Sequence, residues 1–390
     1  MALIISHFTI IPIGYSEIMR LDNNTQAFFN LVKAGLWGNG NPDIQIDGTT
    51  DWNIVYQLAQ EQSVQGLVLA GLELSDLKPP KELLLQWIGE VQMIEQHNKA
   101  MNAFIAGLVA KLRAHGIYTL LVKGQGVAQC YERPSWRACG DVDFLLSKDN
   151  YEKAKSFLCS IASSVDDEDS YSLHLGMIID SWSVELHGNL HSGLSKRIDK
   201  VLDEVQDDLF YGGNVRSWQN GNTQIFLPGV NCDVLFVFSH ILQHFFKGGI
   251  GFRQVGDWCR LLWTYKDSLN YGLLESRIRK MGLMSEWKAF GYLAVNKLGM
   301  PEDAMPFYSS RSIWKYKANR ILAFILETGN FGHNRDKSIY EKHDYIIYKA
   351  ISLWLNTKDS FRHFLIFPKD AICVWFWRFR EGILAVANGK

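Results

Sequence analysis

The run DVDFLL at 141–146 sets two carboxylates one residue apart inside a stretch that is otherwise apolar. Its length and composition predict a buried strand. Successive side chains of a strand alternate between faces, so Asp141 and Asp143 project together while Val142 turns into the core. Two like charges in one small volume repel, which raises the proton affinity of one of them unless a cation lies between. Hard oxygen donors in that arrangement suit Mg²⁺. An acid-x-acid spacing also marks many solvated strand ends, so the pair takes its meaning from its surroundings.

The surroundings change texture at Gly116. Over 24–115, apolar residues recur every three to four positions in TQAFFNLVKAGLW, in DWNIVYQLAQEQ and in a long stretch from Lys81 to Arg113, which predicts a helical entry region. Pro79 and Pro80 can start that last helix, and Gly116 can stop it. After Gly116 comes IYTLLV, a buried-strand pattern, then the turn GQG and a helix VAQCYER. DVDFLL follows, then the amphipathic KDNYEKAKSFLCSI, then the polar link SSVDDEDS. YSLHLGMII and SWSVELHGNL read as strands joined near Asp180 and Ser181, and VRSWQNGNTQIFL as a hairpin turning at Asn220 and Gly221. From Asn231 onward helical periodicity returns in CDVLFVFSHILQHFF, DWCRLLWTYKDSL and WKYKANRILAFILE, with no fixed-period repeat. The expected architecture is α+β, a small mixed sheet with flanking helices. Its parts are an N-terminal helical region over 1–115, an α/β core over 116–214 and a mainly helical C-terminal domain over 215–390.

Bulk properties narrow the partners. A chain of 390 residues with 47% apolar composition can bury two or three packed units. Lys and Arg total 40 against 41 Asp and Glu, so no large field draws it to nucleic acid or an anionic membrane. The six cysteines are scattered without close metal-type pairs, which fits reduced thiols in a cytoplasmic protein. MALIISHFTIIPIG lacks the basic leader and cleavage site of an export signal, and it is too short to cross a bilayer. The aromatic, apolar AICVWFWRFREGILAV reads as a packed helix or a subunit contact rather than a membrane segment.

The segment LVKGQGVAQCYERPSWRACGDVDFLL, in which lysine-glycine precedes a helix, an arginine and an acid-x-acid strand, resembles a family of uncharacterised nucleotidyltransferases within the polymerase-beta nucleotidyltransferase superfamily. The resemblance extends to VELHGNL, SHILQHFF, FRQVGDWCRLL and the GNFG at 329–332. It implies transfer of a nucleoside monophosphate from a nucleoside triphosphate to an acceptor hydroxyl, with Mg²⁺ or Mn²⁺ held by Asp141, Asp143 and Glu185. The superfamily's usual turn is glycine-serine; here Gly124 and Gln125 stand instead, so Gln125 or backbone N–H groups must replace the hydroxyl at the phosphates.

Physical chemistry assigns the remaining roles. Lys123 can meet phosphate oxygens as a point charge, with Gly124 and Gly126 permitting close backbone approach, although a surface lysine is the plain alternative. Arg137 can grip phosphate with its planar fork or neutralise the carboxylate pair. Glu185, on a strand-like segment, can serve as the third ligand or as a base for the attacking hydroxyl. His187 shares its face two residues on. His240 and His244 fall one helical turn apart, a spacing open to metal but equally to packing. Asp257 can pair with Arg253 at i−4 or face the cleft between domains. GNFG suffices as a chain reversal, while its part in the resemblance invites a substrate-loop reading. The acceptor, whether small molecule, sugar phosphate or protein, is not specified, and nucleic acid is disfavoured by the charge balance. Two other readings share the same residues: a metal-dependent phosphodiesterase, and a non-catalytic nucleotide-binding or interaction protein.

Overall fold

The computed structural model describes residues 21–38, 50–169, 171–334 and 345–387; the N-terminal MALIISHFTIIPIG lies outside them. Three short helices, α1 (Asn23–Trp37), α2 (Trp52–Glu61) and α3 (Gln65–Glu73), precede α4 (Lys81–Ala114). Asp22 and Asp51 cap α1 and α2 by accepting backbone N–H groups of Thr25 and Asn53, as short polar side chains at that position do. α1 and α3 cross at backbone contact. A Cβ on Gly35 would lie 1.9 Å from Leu67 O, and one on Gly71 2.0 Å from Leu31 O, so only glycine allows this approach.

The 34-residue α4 belongs to two cores at once. Its N-terminal part buries Trp87 and Val91 among the helices, and its C-terminal part buries Met101, Ile105, Leu108 and Leu112 against the sheet. As expected, it ends at a positive-φ Gly116.

The sheet has seven strands in the order β3-β4-β5-β2-β1-β7-β6. They are β1 (Leu120–Val122), β2 (Asp141–Leu145), β3 (Ser164–Val165), β4 (His174–Ile179), β5 (Trp182–His187), β6 (Val215–Asn220) and β7 (Thr223–Pro228). The β2–β5 and β1–β7 pairs are parallel and the others antiparallel, which gives the expected mixed sheet. The α+β class read from the sequence is the one observed. The β4–β5 hairpin turns on Asp180 and Ser181, both at positive φ, as a two-residue hairpin requires. The β6–β7 hairpin turns one residue later than expected, on Gly221 and Asn222, and through β7 the sheet runs beyond position 214. Ser164–Val165 reads as a polar link in sequence, yet forms an edge strand: two exposed residues carry no alternation to detect.

α5 (Gly124–Ala128) and α6 (Lys148–Cys159) follow β1 and β2, and α7 (Lys196–Phe210), which the strand reading passes over, precedes β6. The rest is helical: α8 (Val230–Lys247), α9 (Phe252–Thr264), α10 (Tyr271–Met281), α11 (Met284–Leu298), α12 (Ser312–Thr328), α13 (Tyr345–Phe364) and α14 (Pro368–Ala387). Phe238, Trp258, Trp287 and Phe290 interlock edge to face at its centre. α14, the predicted packed helix, buries Ala371 and Val374 while Ile372 and Phe376 stay exposed. Among the described residues, no helix is long and apolar enough to cross a membrane.

One buried acid pair sits in this helical core. Glu286 of α11 shares a hydrogen bond with Asp370 of α14, and burial followed by the negative charge of Asp370 pushes its carboxyl from the usual 4.5 up to about 8. A carboxyl whose pKa rises on folding stabilises the fold fully below its unfolded pKa, and that stability is lost as pH climbs through the folded pKa. The contribution of this pair to the melting temperature should therefore fall as pH rises from about 4.5 to about 8. Glu286→Gln should flatten that slope and melt higher than the wild type at the alkaline end; an unchanged slope in a pH series of thermal melts would contradict the shared proton.

Candidate functional site

Strand register assembles the acids. In the parallel β2–β5 pair, Asp141 stands opposite Ser183, Asp143 opposite Glu185 and Leu145 opposite His187. Residues two apart share a face, so Asp141, Asp143, Glu185 and His187 all project from one side. One carboxylate oxygen from each of Asp141, Asp143 and Glu185 lies within 4.8 Å of the other two. β1 runs antiparallel on the other side of β2, with Val122 opposite Asp143. The chain then breaks sharply: Lys123 has φ +54°, a left-handed conformation uncommon for a residue with a side chain. Gly124 is also left-handed, and a Cβ there would approach Cys139 Sγ at 3.1 Å. This reversal brings Lys123 Nζ to 2.6 Å from Asp143 Oδ1.

The charges interlock. Asp143 is 2% exposed and also accepts from His187 Nε2 at 2.8 Å. The negative charge of Asp143, then burial, raise the pKa of Asp141, as two neighbouring carboxylates must. Burial alone would raise Glu185, but hydrogen bonds from His174 and His187 and the charge of Lys123 outweigh it and hold Glu185 ionised. Burial opposes the charge of Lys123, yet Asp143, Glu185 and Asp141 together raise its pKa and keep it protonated. His187 is raised as well: its hydrogen bonds to Asp143 and Glu185 overcome burial and the repulsion of Lys123.

A cleft of about 770 Å³ opens over these acids. Lys123, Gly124, Asp141, Asp143 and Glu185 line the sheet side, and α8 and α9 line the other with His240, His244, Arg253 and Asp257. His240 and His244 meet through their Nε2 atoms at 3.1 Å. Burial, then the charge of Lys123, drive both pKa values down, that of His244 to about 4, so this pair is uncharged at neutral pH. The ring of Phe331, from the GNFG turn, packs edge to face on His244 at 4.8 Å between centroids and lines the same cleft.

Arg137 lines the cleft but is engaged. It grips Asp257 bidentately, Nε to Oδ1 at 3.0 Å and Nη2 to Oδ2 at 2.5 Å, and Tyr131 donates to the same Oδ1 at 2.9 Å. Asp257 is thus bound to the loop before β2 rather than to Arg253 one turn back, which corrects the helical pairing expected from spacing. Arg137 likewise does not neutralise Asp141 and Asp143. Arg253 donates instead to Ala138 O at 3.0 Å, and its buried Nε has no hydrogen-bond partner. Gln125 is a second correction. Its side chain is 1% exposed and donates to Asn98 Oδ1 at 2.7 Å, so α5 turns it into the core and away from any phosphate. Arg253, His174 and Phe331 line or contact the site and carried no functional role in the sequence reading; FRQVGDWCRLL and GNFG, both within the family resemblance, held the signal for Arg253 and Phe331, and nothing did for His174. A second, smaller pocket meets the cleft at Arg137 and Arg253 and is otherwise lined largely by apolar side chains such as Val64, Leu67 and Trp136.

Residues 48–298 match a family described as uncharacterised nucleotidyltransferase, and the chain belongs to that family. The matched span holds every cleft residue named above except Phe331. Its class is accordingly nucleotidyltransferase. No curated protein and no solved structure matches the chain.

The Arg137–Asp257 pair is buried, with both side chains 7% exposed. Removing one partner strands the other charge, which typically costs about 3–5 kcal/mol. Asp257→Ala should therefore lower unfolding free energy by that order in denaturant titrations; a change under about 1 kcal/mol would contradict a structural role for the pair.

Proposed function

We propose that the chain transfers a nucleoside monophosphate from a nucleoside triphosphate to an acceptor hydroxyl, with Asp141, Asp143 and Glu185 as the metal-holding acids of a polymerase-beta-type centre. The observation that carries this reading is the convergence of the three carboxylates within 4.8 Å on adjacent strands beneath an open cleft. Even with Lys123 and His187 beside them, three acids leave a surplus of negative charge that disfavours an anionic triphosphate without further cations. The donor set is all oxygen, which fits Mg²⁺ or Mn²⁺. A divalent ion bound there supplies charge neutralisation for the attacking and leaving oxygens of an in-line displacement.

The chain's own residues do the rest. The acceptor oxygen attacks the α-phosphorus, the bond to the bridging oxygen breaks, and pyrophosphate leaves. In this reading Glu185 is the carboxylate that takes the hydroxyl proton, and His187 orients the acids through Asp143. Lys123 and Arg253 offer positive charge to the phosphates from opposite walls. Arg253 suits this because burial and then Arg137 lower its pKa, which an arriving anion would reverse. His244 and Phe331 form an uncharged aromatic wall suited to a base. The apolar cavity beyond Arg137 and Arg253 can receive an apolar part of the substrates. With a net charge of −1, a small-molecule, sugar-phosphate or protein acceptor fits better than nucleic acid. The α/β core and the helices on either side act as one cleft in this reading.

Turnover of an α-labelled triphosphate tests it. Asp143→Asn keeps the shape of the side chain and removes its charge. It should cut label transfer by on the order of 100-fold or more, since loss of an outer-shell group alone costs 10–100-fold. Near-normal transfer by a folded variant would sink the assignment. Lys123→Ala should chiefly raise KM for the triphosphate, by about tenfold or more, as loss of a charged hydrogen bond does; an unchanged KM in steady-state kinetics would remove Lys123 from phosphate binding.

A further inference from the structure

β4 contributes a side chain that nucleotidyl transfer leaves unused. His174 stands opposite His187 in the antiparallel β4–β5 pair. Cross-strand partners and residues two apart share a face, so His174, Glu185 and His187 project together. His174 Nε2 lies 3.0 Å from Glu185 Oε2, and His187 Nε2, which bonds to Asp143 Oδ1 at 2.8 Å, lies 3.6 Å from that same Glu185 oxygen and would turn from Asp143 to a bound ion. One donor atom of each residue lies within 4.8 Å of the other two. A tetrahedral ion with bonds of about 2.1 Å separates its ligands by roughly 3.4 Å, and the separations of 3.0 and 3.6 Å straddle that value.

Ligand chemistry separates this cluster from the neighbouring acids. Two imidazoles and one carboxylate form the donor set of open metal sites, which keep a position for water or substrate. Imidazole nitrogen selects first-row transition ions, whereas Mg²⁺ prefers oxygen. The cluster is also reachable, with the His174 side chain 35% and that of Glu185 27% exposed. The His240–His244 pair, by comparison, belongs to no such three-ligand group among the described residues.

We propose that His174, Glu185 and His187 form a binding site for a first-row transition-metal dication of the Zn²⁺ or Co²⁺ kind, contiguous with the all-oxygen position through Glu185. The site shares Glu185 and His187 with the proposed transferase centre, but its test reads cobalt absorption rather than turnover, so the two readings can fail separately.

Titration of the full-length protein with Co²⁺, followed by visible absorption, tests it. Low-coordinate cobalt with nitrogen ligands absorbs strongly, whereas cobalt on water and carboxylates in six-coordination absorbs weakly. The wild type should develop the strong bands to saturation at one equivalent. Zn²⁺ should abolish them, and excess Mg²⁺ should not. His174→Ala should weaken cobalt binding by at least the 10–100-fold that loss of an outer-shell partner costs. Asp141→Asn, which spares all three ligands, should retain the bands. His174→Cys should keep binding and add a thiolate-to-cobalt charge-transfer band, which reports ligation at that position even where the alanine variant folds poorly. Weak six-coordinate absorption in the wild type would overturn the site. So would displacement by Mg²⁺, bands that survive unchanged in folded His174→Ala, or absence of the charge-transfer band in His174→Cys.

Discussion

Asp143 and Glu185 stand side by side on parallel strands, and much of the site exists to make that juxtaposition tolerable. A carboxylate 2% exposed beside a like charge is unstable by itself. Two groups offset it. Lys123 arrives from β1 through a left-handed backbone that a residue with a side chain rarely adopts, and His187 comes from the same face of β5 as Glu185. Strain at Lys123 and the glycine after it are local consequences of placing an ammonium directly over β2. In the proposed reading, a divalent ion would complete the neutralisation that Lys123 and His187 begin.

A second buried contact fixes the opposite wall. Arg137, on the loop that leads into β2, is locked to Asp257 of α9, and Tyr131 closes the same carboxylate. Asn98 of α4 donates to the backbone carbonyls of Ser135 and Arg137 at 2.8 Å, so the long helix braces that loop from behind. With Arg137 and Asp257 neutralising each other, Arg253 is left as the cation on the helical side of the cleft whose charge lacks a carboxylate at salt-bridge distance among the described residues. The two arginines stand on different elements, Arg137 on a loop and Arg253 in the first turn of α9. Their environments give one a structural partner and the other an open face.

What was legible in the sequence followed from periodicity and punctuation. The acid-x-acid strand, the lysine-glycine turn, the long helix bounded by proline and glycine, and the hairpin at Asp180 and Ser181 all depend on near neighbours in the chain, where the period of the side chains is decisive. Residues brought together from a distance were less so. That Glu185 lies on the strand next to Asp143 required strand order, which spacing leaves open. Of the two readings of Asp257, the i−4 pair fails because its partner Arg137 lies 120 positions away, while the position at the cleft is the one observed. Gln125 was misread because a five-residue helix turns its side chain inward, and nothing local distinguishes that face. His174 gave no signal, since its relation to Glu185 exists only through the register of β4 on β5.

The central claim is that the carboxylates of β2 act through a divalent ion on a nucleoside triphosphate. Calorimetric titration with each triphosphate, with and without Mg²⁺, on the wild type and on the Asp141→Asn, Asp143→Asn double variant, tests it most directly. The expected result is binding that needs both the ion and the two acids. Tight binding that survives in the double variant, or that is indifferent to Mg²⁺, would contradict it.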